Sequence, residues 1–119
     1  MPTYTVRVQL HDDEPISLRG VQAIVRIVDG TLADAPYKVI REHRFHDVRY
    51  ESDDLYVIVT DFRVGERPHA RLWYVHVLVD VDHDGSASVG DFVTMESFPL
   101  RREGGTVEVV ARRIRPVMA

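Results

Sequence analysis

Apolar and polar residues alternate along nearly the whole chain. Tyr4, Val6, Val8 and Leu10 fall on one face of a first strand, with Thr5, Arg7 and Gln9 on the other, because successive side chains of an extended segment point to opposite sides. Val21, Ala23, Val25 and Ile27 mark a second strand. Ile24 and Val28 on its other face predict that it lies in the middle of a sheet. Residues 37–45 predict a third strand and 55–59 a fourth. Trp73, Val75, Val77 and Val79 build a fifth, with Tyr74, His76 and Leu78 facing the other way. Residues 92–95 predict a sixth, and Val107, Val109 and Ala111 a seventh. Turn formers separate these runs: Asp12-Asp13-Glu14-Pro15, Asp29-Gly30, Ser52-Asp53-Asp54, Gly65-Glu66-Arg67-Pro68 and Gly104-Gly105. No window carries a sustained helical period, and the best helical candidate, residues 31–35, is too short for more than a turn.

Seven short strands with frequent turns predict an all-β fold, an antiparallel β-sandwich. At 119 residues the chain is expected to be one domain, residues 1–119, with length enough for a core. An apolar fraction of 45% and a charged fraction of 29% are those of an ordinary soluble protein. No apolar run approaches the ~20 residues needed to cross a bilayer. The start, Met1-Pro2-Thr3-Tyr4-Thr5-Val6, has neither a basic stretch nor an apolar one, so a cytoplasmic location is the default expectation. A trimmed exported protein would read the same way. Absence of cysteine removes disulfides, thiolate metal sites and a cysteine nucleophile.

Chemistry is concentrated in one loop, Asp80-Val81-Asp82-His83-Asp84-Gly85-Ser86-Ala87-Ser88-Val89-Gly90-Asp91. Carboxylates stand at positions 1, 3, 5 and 12 of twelve, and glycine at position 6. In a calcium loop of this pattern positions 1, 3 and 5 give side-chain oxygens, position 7 a backbone carbonyl, position 9 often a water, and position 12 closes the shell. The expected ligands are therefore Asp80, Asp82, Asp84, Ser86, Ser88 and Asp91, and the expected ion is Ca²⁺. Calcium takes six to eight oxygens at about 2.3–2.6 Å. Three features depart from the helix–loop–helix version. Asp91 stands where Glu is usual, Ala87 where a larger aliphatic residue is usual, and the flanks read as strands. The ion would sit in a β-hairpin connection. The plain alternative is an Asp/Gly-rich turn without metal, but four clustered carboxylates repel one another unless neutralised.

Charge balance singles out the same loop. The chain has 15 basic and 19 acidic residues, a net charge of −4; without the four loop aspartates the two signs are equal. Lysine and arginine are scattered, so no basic face for nucleic acid is expected. Arg101-Arg102 and Arg112-Arg113 with Arg115 read as solvated strand faces, and Asp12-Asp13 as solvated turn carboxylates.

The rest of the sequence argues against catalysis. His43 and His46, three apart on one strand, belong on opposite faces. His76 reads as a half-exposed partner of a neighbouring strand. His83 lies at a solvent-facing loop position, and His11 and His69 border turns. No spacing calls for a zinc site, and neither a nucleophile elbow nor a phosphate-cradling loop is present. Without such signatures the chain is expected not to be an enzyme.

The segment Ile27-Val28-Asp29-Gly30-Thr31-Leu32-Ala33-Asp34-Ala35-Pro36-Tyr37-Lys38-Val39-Ile40 resembles the YbaY-like family of small bacterial β-sandwich proteins, which are associated with the lipoproteins. The order of later features is similar too: a strand over 73–79, an Asp/Gly hairpin, Ser97-Phe98-Pro99-Leu100, the Gly104-Gly105 turn and a final Val-rich strand. Leu32-Ala33-Asp34-Ala35-Pro36 carries the residue-level match. The resemblance implies a β-sandwich and an envelope association, and it brings no established enzymatic reaction to carry over. This chain departs from the family in lacking a lipid-attachment cysteine and in replacing a short Asp-Gly hairpin with the carboxylate loop. The expected function is non-enzymatic calcium binding that orders the hairpin loop 80–91. The alternative is a calcium-dependent lipid- or carbohydrate-binding module, since residues 34–39 are loosely similar to a segment of the C2-type lipid-binding sandwiches.

Overall fold

A computed structural model describes residues 2–30, 37–65, 67–68 and 71–116. The helical candidate at 31–35 and the family-specific segment 32–36 lie outside the described residues, as do Glu66 and His69. The described residues form seven strands and no helix: β1 (Thr3–His11), β2 (Ser17–Asp29), β3 (Lys38–Glu51), β4 (Ile58–Arg63), β5 (Trp73–Asp80), β6 (Phe92–Thr94) and β7 (Gly105–Arg113). Among the described residues no helix is long and apolar enough to cross a membrane.

All seven strands belong to one sheet, in the order β3-β2-β5-β6-β7-β1-β4. The sheet curls into a nearly closed, barrel-like fold, and the finer expectation of two facing sheets is not confirmed. It is also not purely antiparallel, because β1 runs parallel to β7, with Val6 opposite Val107 and Val8 opposite Val109. Alternation gives every strand one buried face in either architecture, so the pattern alone does not separate a sandwich from a curled sheet. Curvature comes from bulges, which add a residue to one strand and tighten its twist. The β2–β3 ladder carries three register shifts. Gly20 (φ 65°) and Asp47 (φ 57°) lie in that irregular stretch, in the left-handed region.

The inner faces match the alternation. Tyr4, Val6 and Val8 of β1, Ala23, Val25 and Ile27 of β2, and Val75, Val77 and Val79 of β5 are buried in one core, with Phe62, Phe92, Val109 and Ala111. β2 is central, between β3 and β5. Ile24 and Leu78 face each other across the β2–β5 ladder and are buried on the outer face, as the second apolar face of that strand requires.

The fourth strand begins three residues later than the apolar run 55–59 predicts. Asp54 N–H donates to the Glu51 carbonyl (2.9 Å), while the Asp54 carboxylate accepts from Glu51 N–H (2.9 Å), so the chain is still turning there. Leu55 is left exposed. Alternation resumes with Ile58, Phe62 and Val64 inside. The open seam lies between the outer strands β3 and β4 and is bridged by side chains. His43 of β3 stacks on the Phe62 ring, with centroids 4.0 Å apart and planes 11° apart, and its Nδ1 lies 2.8 Å from the Thr60 hydroxyl.

Candidate metal centre

β5 and β6 deliver the loop. β5 pairs with β2 up to Asp80, opposite Gln22, so position 1 of the loop is held by the sheet. Position 12, Asp91, immediately precedes β6 and is held from the other side. Gly90 N–H donates to the Ile114 carbonyl (3.0 Å), and Ile114 N–H donates to the Asp91 carbonyl (2.7 Å). The two end residues are therefore fixed by backbone pairing. Both are buried, whereas Asp82 and Asp84 are exposed.

Between these anchors the chain wraps inward on its own amides. Gly85 N–H donates to Asp80 Oδ2 (2.7 Å) and Ser86 N–H to Asp84 Oδ1 (3.0 Å). Val81 N–H donates to Asp91 Oδ1 (2.8 Å) and Ser88 N–H to Asp91 Oδ2 (3.0 Å). Gly85 sits at φ 80°, a conformation in which a Cβ would be strained. His83, at φ 60°, carries that strain, and its turn is framed by the aspartates on either side. The outcome is that Asp80, Asp82, Asp84 and Asp91 each offer a carboxylate oxygen within 4.8 Å of one another.

Of the six expected ligands, those four converge. The Ser88 hydroxyl lies among them, donating to Asp82 Oδ2 (2.9 Å), with Asp91 Oδ2 at 3.1 Å. Ser86 is exposed and contributes its N–H to Asp84. No histidine belongs to the group.

Electrostatics of the cluster are unfavourable as it stands. Asp80 Oδ1 is buried with no hydrogen-bond partner, and an unpartnered buried oxygen costs free energy. Burial raises the Asp80 pKa, and proximity to Asp82, Asp91 and Asp84 raises it further, against the opposing Gly85 amide. The Asp82 pKa is lowered, first by its contact with Asp80 and then by Ser88. The all-oxygen donor set suits a hard divalent cation, which would neutralise the clustered carboxylates.

At the same end of the barrel sits a charged group that the sequence had read as solvated. The Asp12 side chain is only 3% exposed, and Arg113 Nη1 lies 2.9 Å from its Oδ2. That contact is Coulombic, because Oδ2 has no aligned donor. Arg115 donates to the other oxygen, Oδ1. Burial pushes the Asp12 pKa up, but the Arg115 hydrogen bond, the Asp13 amide and the charge of Arg113 outweigh it, leaving Asp12 below its ordinary value. Arg113 also packs 4.8 Å over the Phe92 ring. Arg112 is ion-paired with Glu96 (2.7 Å) on the surface. Nothing in sequence spacing links residue 12 to residues 113 and 115; only the parallel β1–β7 pairing brings them together.

His43 is half-buried and His46 exposed. His76 lies on the outer face opposite Arg26, and burial, with the charge of Arg26, lowers its pKa. It lines an open depression of about 310 Å³ with Tyr37, Tyr74, Met95 and Phe98, formed where β6 ends and the chain rejoins β5 at the Tyr74–Pro99 bridge.

No known family model matches the chain, and no curated protein sequence matches it. Among solved structures, the fold is similar to an alternative pilotin from the type II secretion system of Vibrio cholerae. The TM-score is 0.64 with 16% identity, over 92% of this chain and 95% of that one. At that identity the likeness shows a shared fold.

Proposed function

We propose that this chain is a non-enzymatic calcium-binding domain whose ion orders the β5–β6 hairpin through Asp80, Asp82, Asp84 and Asp91, with Ser86 and Ser88 completing the shell. The observation that carries the reading is Asp80 Oδ1, buried and unpartnered within a group of four carboxylates. A cation would supply the missing partner and cancel the repulsion. Calcium fits better than zinc, which prefers nitrogen and sulfur ligands. It also fits better than magnesium, which demands near-octahedral geometry and retains its waters. The non-enzymatic part of the proposal rests on the sequence, which carries neither a nucleophile elbow nor a phosphate-cradling loop.

Isothermal titration of metal-stripped protein with CaCl₂ and, separately, MgCl₂ tests this directly. Saturable heat with calcium, weaker heat with magnesium and none in the Asp82→Ala/Asp84→Ala variant are expected. A flat calcium titration of folded protein would refute the proposal.

A second reading, a calcium-dependent lipid- or carbohydrate-binding module, draws on Val89, an exposed apolar residue within the loop. Calcium-dependent cosedimentation with phosphatidylserine vesicles, lost in Val89→Asp, would favour it. YbaY-like membership remains part of the proposal as an expectation of fold. Likeness to a secretion-system pilotin makes a protein partner reasonable to seek. The compartment decides whether the loop fills, since extracellular calcium modules operate at about 10⁻⁴–10⁻³ M and a resting cytosol would leave such a site empty.

A further inference from the structure

We infer that calcium binding at the hairpin controls docking of the segment that follows β7, residues 114–116, and through it the β1–β2 turn at Asp12. The inference rests on the calcium reading above and names what the ion regulates.

Asp91 has two roles. Its carboxylate belongs to the ion cluster and accepts the Val81 and Ser88 amides. Its carbonyl accepts Ile114 N–H, and Gly90 N–H donates to the Ile114 carbonyl. These bonds continue the β6–β7 ladder one residue beyond the Phe92–Arg113 pair. Ile114 is flanked by the two arginines that hold Asp12, with Arg113 also lying over Phe92. The chain of contacts therefore runs from ion to Asp91, from Asp91 to Ile114, and from the arginines beside Ile114 to Asp12.

β6 has only three residues, so it does little to hold the loop's second end by itself. Without a cation, four carboxylates within 4.8 Å repel. The end that yields is the one on the short strand, because Asp80 terminates an eight-residue strand paired along its length with β2. Displacing Asp91 breaks both bonds to Ile114 and frees Arg113 and Arg115 from Asp12. Linkage makes the effect reciprocal: if the ion tightens the clamp, the clamp tightens the ion by the same factor.

The test uses the full chain, stripped of metal, with and without CaCl₂. Amide hydrogen exchange is followed at Gly90 and Ile114, with β4 amides as the reference for global stabilisation, and tryptic cleavage is followed at the Arg113–Ile114 bond. Calcium should slow Ile114 exchange about fivefold or more beyond any change in β4 and slow cleavage in parallel. Arg115→Gln, which leaves every loop ligand intact, should weaken calcium binding by the factor by which it lessens Ile114 protection. Should that variant fail to fold, Asp12→Asn takes its place. Calcium heat with Ile114 exchange unchanged, or changed only as much as β4, overturns the coupling and leaves the ion site standing. No calcium heat at all overturns both.

Discussion

Asp80 is the residue on which the chemistry turns. Its pKa in the fold lies above the unfolded value because burial and neighbouring carboxylates favour the protonated form. The metal-free fold therefore holds that proton more tightly than the unfolded chain. The associated stability is present at low pH and is lost as pH rises through the raised pKa. A cation removes that loss. The rise in melting temperature on adding calcium should accordingly be largest at neutral pH and shrink on acidification through the Asp80 range, as scanning calorimetry across pH would show. An increment independent of pH would mean that Asp80 does not titrate at the site. Asp12 has the opposite sign. Its lowered pKa contributes stability above the ordinary carboxylate range, lost as pH falls through its folded value. Asp12→Asn should cost about 1–2 kcal/mol at neutral pH. That is less than the ~3–5 kcal/mol for breaking a fully buried pair, because Arg115 is half-exposed and free to reach water. Denaturant melts of wild type and variant should differ less at pH 3 than at pH 7, because acid removes the wild-type contribution as it approaches the lowered folded value.

Among the elements, the hairpins decide which glycines are required. Gly104 has φ 94°, and a Cβ there would lie 2.7 Å from the Thr3 carbonyl oxygen. Backbone rather than a flexible side chain blocks the space, so β7 and β1 would have to separate. Gly104→Ala is expected to destabilise by about 2 kcal/mol or more, whereas Gly65→Ala, where no atom lies within 4 Å, should be near neutral. Equilibrium unfolding of the two variants tests the contrast, and equal losses would count against the close β1–β7 approach. The loop shows the limits of spacing. Positions 1, 3, 5 and 12 are legible from their identities alone, and they do converge. Burial of Asp80 and Asp91 was not legible, because it arises from the neighbouring ladder ends. The fourth strand was misplaced because the 55–59 run is apolar on both faces, so it carries no phase. Phe62 and Val64, beyond it, are the residues that face the core.

For the whole molecule, closure of the sheet is the governing feature. β3 and β4 meet through His43, Thr60 and Phe62. A side-chain seam is weaker than a backbone ladder, so it should open first. His43→Ala is predicted to reduce stability by about 1–3 kcal/mol and to raise hydrogen exchange in β3 and β4 before β5. Unaltered exchange in those two strands would mean that the seam closes by other contacts. Calcium acts on the same scale: at a free concentration of 100 Kd it should add about 2.7 kcal/mol to unfolding free energy, reversibly with chelator.

By itself the sequence determined that the chain is all β, that Tyr4, Val25, Val77 and their alternating neighbours face inward, and that one loop carries the acidic chemistry. These follow from local rules, the period of an extended chain and the spacing of carboxylates in a turn. Only the tertiary structure decided that seven strands share one curled sheet, that β1 runs parallel to β7, and that Asp12 is buried beside Arg113 and Arg115. The physical reason is common to all three. Each depends on contacts between residues far apart in sequence, fixed by twist, bulges and strand order, and a pattern with a period of two residues is blind to which strand becomes its neighbour.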